Sequence, residues 1–118
     1  MIHIIDDDLH ILSMLTDIME LLKRPVATFS CPSSYCEYAN SNHYTPPNII
    51  ITDVKMPEIS GYQLMEKISK AHKEIKFIVM TGYQEVADKS SDYPHVFIRK
   101  PFNLENLDAQ IQRLMSTT

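Results

Sequence analysis

Short apolar runs alternate with longer amphipathic stretches along this 118-residue chain, and that alternation limits the folds open to it more than any other feature. Ile2 to Ile5 reads as a strand. Leu9 to Lys23 reads as a helix, with Ile11, Leu15, Ile18 and Leu22 at 3.6-like spacing and Asp8 at the N-cap position. Val26 to Phe29 predicts a second strand, entered through Pro25. Ser34 and Glu37 have the spacing of a capping box and predict a short second helix. Pro46-Pro47 marks a boundary, and the β-branched run from Asn48 to Thr52 suits a buried strand. Ser60 and Gln63 form another capping box, opening a helix with Leu64, Ile68 and Ala71 inward.

The pattern then repeats. Lys76 to Met80 predicts a strand, Gln84 to Lys89 a short helix and His95 to Ile98 a last strand. Asn103 can cap a closing helix that carries Leu104, Leu107, Ile111 and Leu114 on one face. Five strand-then-helix units predict one α/β domain over 1–118, a parallel sheet covered on both sides by right-handed crossovers. The stretch from Cys31 to Pro47 is the least regular and is expected to be mobile. Met14, Met19 and Met65 fall at helical positions and read as core fillers.

Composition removes several function classes. Fifteen acids against eleven bases give a net charge of −4, which argues against nucleic acid as a direct partner. Lys67, Lys70, Lys73 and Lys76 are interleaved with acids and read as a solvated face. Gly61 and Gly82 are the only glycines, too few for a glycine-rich phosphate cradle. The longest aliphatic runs are too short to span a bilayer, and early Asp6-Asp7-Asp8 does not suit a signal peptide. Cys31 and Cys36 read as free thiols, so a cytoplasmic location is expected.

In open α/β sheets, functional groups gather at the carboxyl ends of the strands. Here those ends carry Asp6-Asp7, Asp53, Thr81 and Arg99-Lys100-Pro101. Crowded carboxylates repel one another unless a cation compensates. A hard divalent ion such as Mg2+ suits oxygen ligands and keeps room for water and a phosphate. Lys100 adds a fixed positive charge and Thr81 a hydroxyl, a set suited to receiving a phosphoryl group.

Ile-Ile-Asp-Asp-Asp at 4–8, Ile-Ile-Thr-Asp-Val-Lys-Met-Pro at 50–57, Val-Met-Thr-Gly at 79–82 and Arg-Lys-Pro-Phe at 99–102 lie in this order. Together they resemble the receiver domain of bacterial two-component response regulators. The resemblance implies a flavodoxin-like (βα)5 three-layer sandwich with strand order 2-1-3-4-5. It implies that Asp53 is the phosphoacceptor, charged by a histidine kinase or phosphotransfer protein. Asp7, Asp53 and the backbone carbonyl of Lys55 would ligate Mg2+, with Asp6 holding a metal-bound water. Lys100 would pair with the carboxylate and then with the phosphoryl oxygens, and the Thr81 hydroxyl would move onto the phosphoryl group. Phe97 matches the switch aromatic that turns inward when Thr81 moves.

Lys55, Gly82 and Tyr83 border the pocket in this family, and the bulk of Lys55 and Tyr83 predicts slow loss of the phosphoryl group. Thr52 should face the other side of the sheet and is given no role. The family also forms homodimers through its fourth helix, fifth strand and fifth helix. The stretch from Thr81 to Lys100 is shorter than the family's usual one, and carries Ser90-Ser91-Asp92-Tyr93-Pro94 in place of a helix end. The alternatives are a degenerate receiver acting through protein contacts alone, or a small aspartyl-phosphate phosphatase. The phosphatase mechanism wants an acid two residues beyond the nucleophile, where this chain has Lys55.

Overall fold

The computed structural model describes residues 1–81, 96–99 and 103–116, with Thr81, Phe97 and Arg99 described at the backbone only. Five strands, β1 (Ile2–Ile5), β2 (Val26–Phe29), β3 (Ile49–Asp53), β4 (Lys76–Thr81) and β5 (Val96–Arg99), form one parallel sheet. Their order is β2-β1-β3-β4-β5, as the resemblance implies. Helices α1 (Leu9–Leu21), α2 (Pro32–Ala39), α3 (Gly61–Ala71) and α4 (Leu104–Ser116) cover it. The helix expected at 84–89 lies outside the described residues, as do His95 and the 90–94 stretch.

Alternation along the strands divides the apolar residues between two faces. Ile2, Ile4, Ile49, Ile51, Ile78, Met80 and Ile98 pack with Leu12, Leu15 and Met19 of α1 and Leu107 and Ile111 of α4. Ile5, Ile50, Phe77 and Val79 pack with Tyr35 of α2 and with Tyr62, Leu64, Met65 and Ile68 of α3. Strands buried on both faces read as continuous apolar runs, which is why β1, β3 and β4 stood out in the sequence. Arg24, just beyond α1, reaches Asp108 of α4 at 3.2 Å and ties the two helices on one face together.

Local signals placed most helix ends correctly. The Asp8 carboxylate accepts from the His10 and Ile11 amides at 2.9 and 3.4 Å. Ser60 and Gln63 close their capping box at 3.2 and 2.9 Å, and the Asn103 side chain caps α4 through the Asn106 amide at 2.6 Å. Helix α1 stops at Leu21 instead of Lys23, because Lys23 turns to φ 57° and the Arg24 amide closes back on the Met19 carbonyl at 2.9 Å.

Some of the remaining expectations need correction, and others hold. Helix α2 starts at Pro32, ahead of the expected Ser34–Glu37 box, because proline is preorganised for the first helical position and lacks an amide that would need a partner there. Leu12, Leu15 and Met19 form the buried stripe of α1, with Ile11 and Ile18 packed at its margin. Met14 is exposed, while Met19 and Met65 are buried as expected. Ala71 is exposed at the end of α3, where Met65 and Tyr62 complete the inner face. Lys67, Lys70, Lys73 and Lys76 are all exposed, and both cysteines are free. No described helix is long and apolar enough to cross a membrane.

The stretch expected to be mobile carries an aromatic cluster. Tyr38 and Tyr44 meet edge to face at 5.0 Å, Phe29 meets Tyr35 at 4.7 Å, and Tyr44 lies 5.0 Å from the His72 ring. At the base of the cluster, His3 Nδ1 bonds the Tyr35 hydroxyl at 2.8 Å, and that hydroxyl bonds the Tyr44 hydroxyl at 2.6 Å. Tyr44 thereby fastens the 40–48 segment to α2 and to the end of α3.

Candidate functional site

Strand register assembles the site at the carboxyl edge. Ile5 is level with Thr52 on β3, so Asp6 emerges beside Asp53. Asp53 in turn pairs with Met80, which sets Thr81 one step further along β4, opposite Arg99 of β5. By parity Asp6 and Asp53 belong to the α1–α4 side of the sheet, and Thr52 to the α2–α3 side.

Each carboxylate is held by backbone. The Asp6 amide donates to the Phe29 carbonyl at 3.1 Å, and its Oδ1 accepts from the Asp8 amide at 2.9 Å. That turn leads straight into the Asp8 cap, so the strand end and the helix start are one local unit. Asp53 Oδ1 accepts from the Val54 amide at 2.9 Å, and the same amide reaches the Met80 carbonyl at 3.0 Å. Asp6 and Asp53 are buried, whereas Asp7 is exposed.

Asp6, Asp7 and Asp53 can each offer an oxygen, and the three oxygens lie within 4.8 Å of one another. Three like charges this close need compensation. The donor set is entirely carboxylate, so it fits a hard, oxygen-seeking divalent cation far better than a soft metal. Cys31, Cys36 and His43 are not part of any metal-binding group among the described residues.

The backbone after Asp53 makes a tight return into α3. Glu58 adopts φ 71°, a conformation that costs a side chain roughly 1–2 kcal/mol. Its carboxylate accepts from the Ser33 hydroxyl at 3.3 Å. The Gly61 amide then donates to the Val54 carbonyl at 2.9 Å. A Cβ on Gly61 would collide with the Asp53 carbonyl oxygen and stand 3.0 Å from its carbon. Sequence reasoning counted this glycine without giving it a place. Its φ is not positive, so close approach of α3 to the Asp53 backbone is what requires it.

The remaining expected residues divide by position. Lys55 is exposed in the loop after β3. Thr81 and Phe97 are placed on β4 and β5 by their backbones. Gly82, Tyr83 and Lys100 lie outside the described residues.

Residues 2–112 match the family model of the response regulator receiver domain. The chain belongs to that family. Among curated relatives of the domain, the response regulator receiver protein CpdR of Brucella abortus is 30% identical over 59% of this chain and 61% of its own length. The probable transcriptional regulator ycf27 of Cyanophora paradoxa is 27% identical over 98% of the chain and 48% of its own length. The chain therefore spans less than two thirds of either relative. A crystal structure of a response regulator receiver domain protein from Clostridium thermocellum superposes with a TM-score of 0.86 at 25% identity, covering 97% of this chain and 92% of that one. The receiver fold and the membership in two-component signalling proteins are thus shared with these relatives.

Proposed function

We propose that this receiver domain accepts a phosphoryl group on Asp53 from a phosphohistidine donor, a histidine kinase or phosphotransfer protein, and transmits the change through its surface. The convergence of Asp6, Asp7 and Asp53 within 4.8 Å at the carboxyl edge is the observation that carries this reading. Asp7, Asp53 and the Lys55 backbone carbonyl would hold Mg2+, with Asp6 reaching it through water. When bound, the ion neutralises charge on the carboxylates and on the incoming phosphoryl oxygens.

A carboxylate oxygen of Asp53 attacks phosphorus as the bond from phosphorus to the histidine nitrogen breaks, and that nitrogen keeps the electron pair. The product is an acyl phosphate, which water later cleaves to regenerate Asp53 and release inorganic phosphate. Lys100 pairs with the carboxylate and then with the phosphoryl oxygens. Thr81 and Phe97 form the switch, a local charge change coupled to a bistable packing element. Lys55, Gly82 and Tyr83 set access of water to the acyl phosphate. The domain works as a phosphoacceptor in the cytoplasm without acting as a turnover enzyme.

Incubation with Mg2+ and acetyl phosphate, or with beryllofluoride, is expected to give an adduct that Asp53→Asn abolishes. No adduct together with no Mg2+ affinity would overturn the reading.

A further inference from the structure

Thr52 stands one residue before Asp53 and is fully buried on the opposite side of the sheet, level with Ile5 and Val79. Its Oγ1 donates to the backbone carbonyl oxygen of Asp53 at 3.1 Å, with the Met56 sulfur 3.8 Å away. That carbonyl belongs to the same planar unit as the Val54 amide. The amide in turn reaches the Met80 carbonyl at 3.0 Å and Asp53 Oδ1 at 2.9 Å. Fixing one end of a planar peptide fixes the other. A hydroxyl on the covered face of the sheet and the Met80 carbonyl thus bear on one peptide, whose N–H also reaches the carboxylate at the edge.

The space around this peptide is closed. A Cβ at Gly61 would meet the Asp53 carbonyl oxygen and lie 3.3 Å from Thr52 Cγ2. The carbonyl thus lies close to both the Thr52 side chain and the first turn of α3. In-line attack on phosphorus depends on carboxylate direction, so a small rotation here reaches the chemistry.

We propose that Thr52 is a positioning residue for Asp53: its hydroxyl locks the Asp53–Val54 peptide, and that peptide's N–H orients the carboxylate. The proposal rests on the phosphoacceptor reading of Asp53. It assigns chemistry to a side chain that touches neither metal nor phosphoryl group.

Thr52→Val keeps the volume and removes the hydroxyl, while Thr52→Ser keeps the hydroxyl and removes the methyl group. With Mg2+ and acetyl phosphate, Thr52→Val should lower the rate at saturating donor by about tenfold and leave the half-saturating donor concentration nearly unchanged. Thr52→Ser should restore the rate to within about twofold of the native chain, although the lost methyl makes it less stable to urea. A structural role alone would make reactivity follow stability.

Native rate in a folded Thr52→Val, or a Thr52→Ser as slow as Thr52→Val, would overturn the proposal. If Thr52→Val does not fold, the native chain decides by proton NMR. A slowly exchanging Thr52 hydroxyl proton close to the Val54 amide supports the lock, and a freely exchanging one refutes it. Absence of any adduct in the native chain removes the phosphoacceptor reading and the positioning role with it.

Discussion

His3 and Asp6 stand three residues apart on β1 and just beyond its end, at 4% and 0% exposure, in surroundings of opposite character. His3 meets hydroxyls and aromatic rings: Tyr35 bonds it, Tyr44 bonds Tyr35, and Phe29 and Tyr38 stack around them. Asp6 meets two further carboxylates within 4.8 Å. In the first region neutral donors and acceptors complement one another, so the network is closed and its output is rigidity. In the second, like charges converge, an arrangement that a cation would favour. Buried polarity therefore serves structure at the start of this strand and, in the function proposed above, reactivity just beyond its end.

The largest effect that separates the two regions should come from Tyr35→Ala. Removing this buried ring and both of its hydrogen bonds should cost about 3–5 kcal/mol of stability, measured by urea unfolding. Reactivity of Asp53 toward acetyl phosphate should stay native at temperatures where the variant is folded. A loss of reactivity in a folded Tyr35→Ala protein would show that the two regions are coupled, and the contrast would collapse.

A smaller effect should come from pH. Burial, with the N-terminal ammonium nearby, pushes the His3 pKa from 6.5 down to about 4. The unfolded chain therefore holds more protons on this group between those two values. Its contribution to stability is complete above pH 6.5, falls as pH drops toward about 4, and changes no further below that. The loss should approach, at most, about 3 kcal/mol. His3→Leu should flatten the decline over this window in thermal melts followed by circular dichroism. An unchanged decline would assign it to other groups, the edge carboxylates among them.

The same contrast explains what the sequence could disclose. Asp8, Ser60 with Gln63, and Asn103 announce helix starts through partners two or three residues away, and all three caps form. Asp6 and Asp53 were legible because strand alternation and parallel register carry them to a common edge. His3 and Gly61 were silent because their partners are set by tertiary approach. Tyr35 lies 32 positions from His3. Gly61 is small because of a carbonyl on another element, and the hydroxyl of Thr52 acts on a peptide whose orientation no residue pattern encodes. The start of α2 was misread because two valid local signals competed, and proline's fixed φ prevailed.

The smallest predicted effect tests the edge most directly. Asp7 is the exposed member of the acidic group, so its replacement leaves the core untouched. Without metal, Asp7→Asn removes one of three repelling charges and keeps nearly the same shape. Stability should rise, by less than about 1 kcal/mol because solvent screens an exposed carboxylate. With excess Mg2+ the ranking should reverse, since the native chain gains binding free energy that the variant has largely lost. Paired thermal melts with and without Mg2+ would read both signs from one pair of proteins. A variant less stable than the native chain in both conditions would mean that Asp7 supports the fold. A rank order that does not change with Mg2+ would mean that the edge has no special demand for a cation. Only the crossing of the two stabilities is expected if these carboxylates are brought together for an ion, because structure and charge compensation then pull in opposite directions at a single residue.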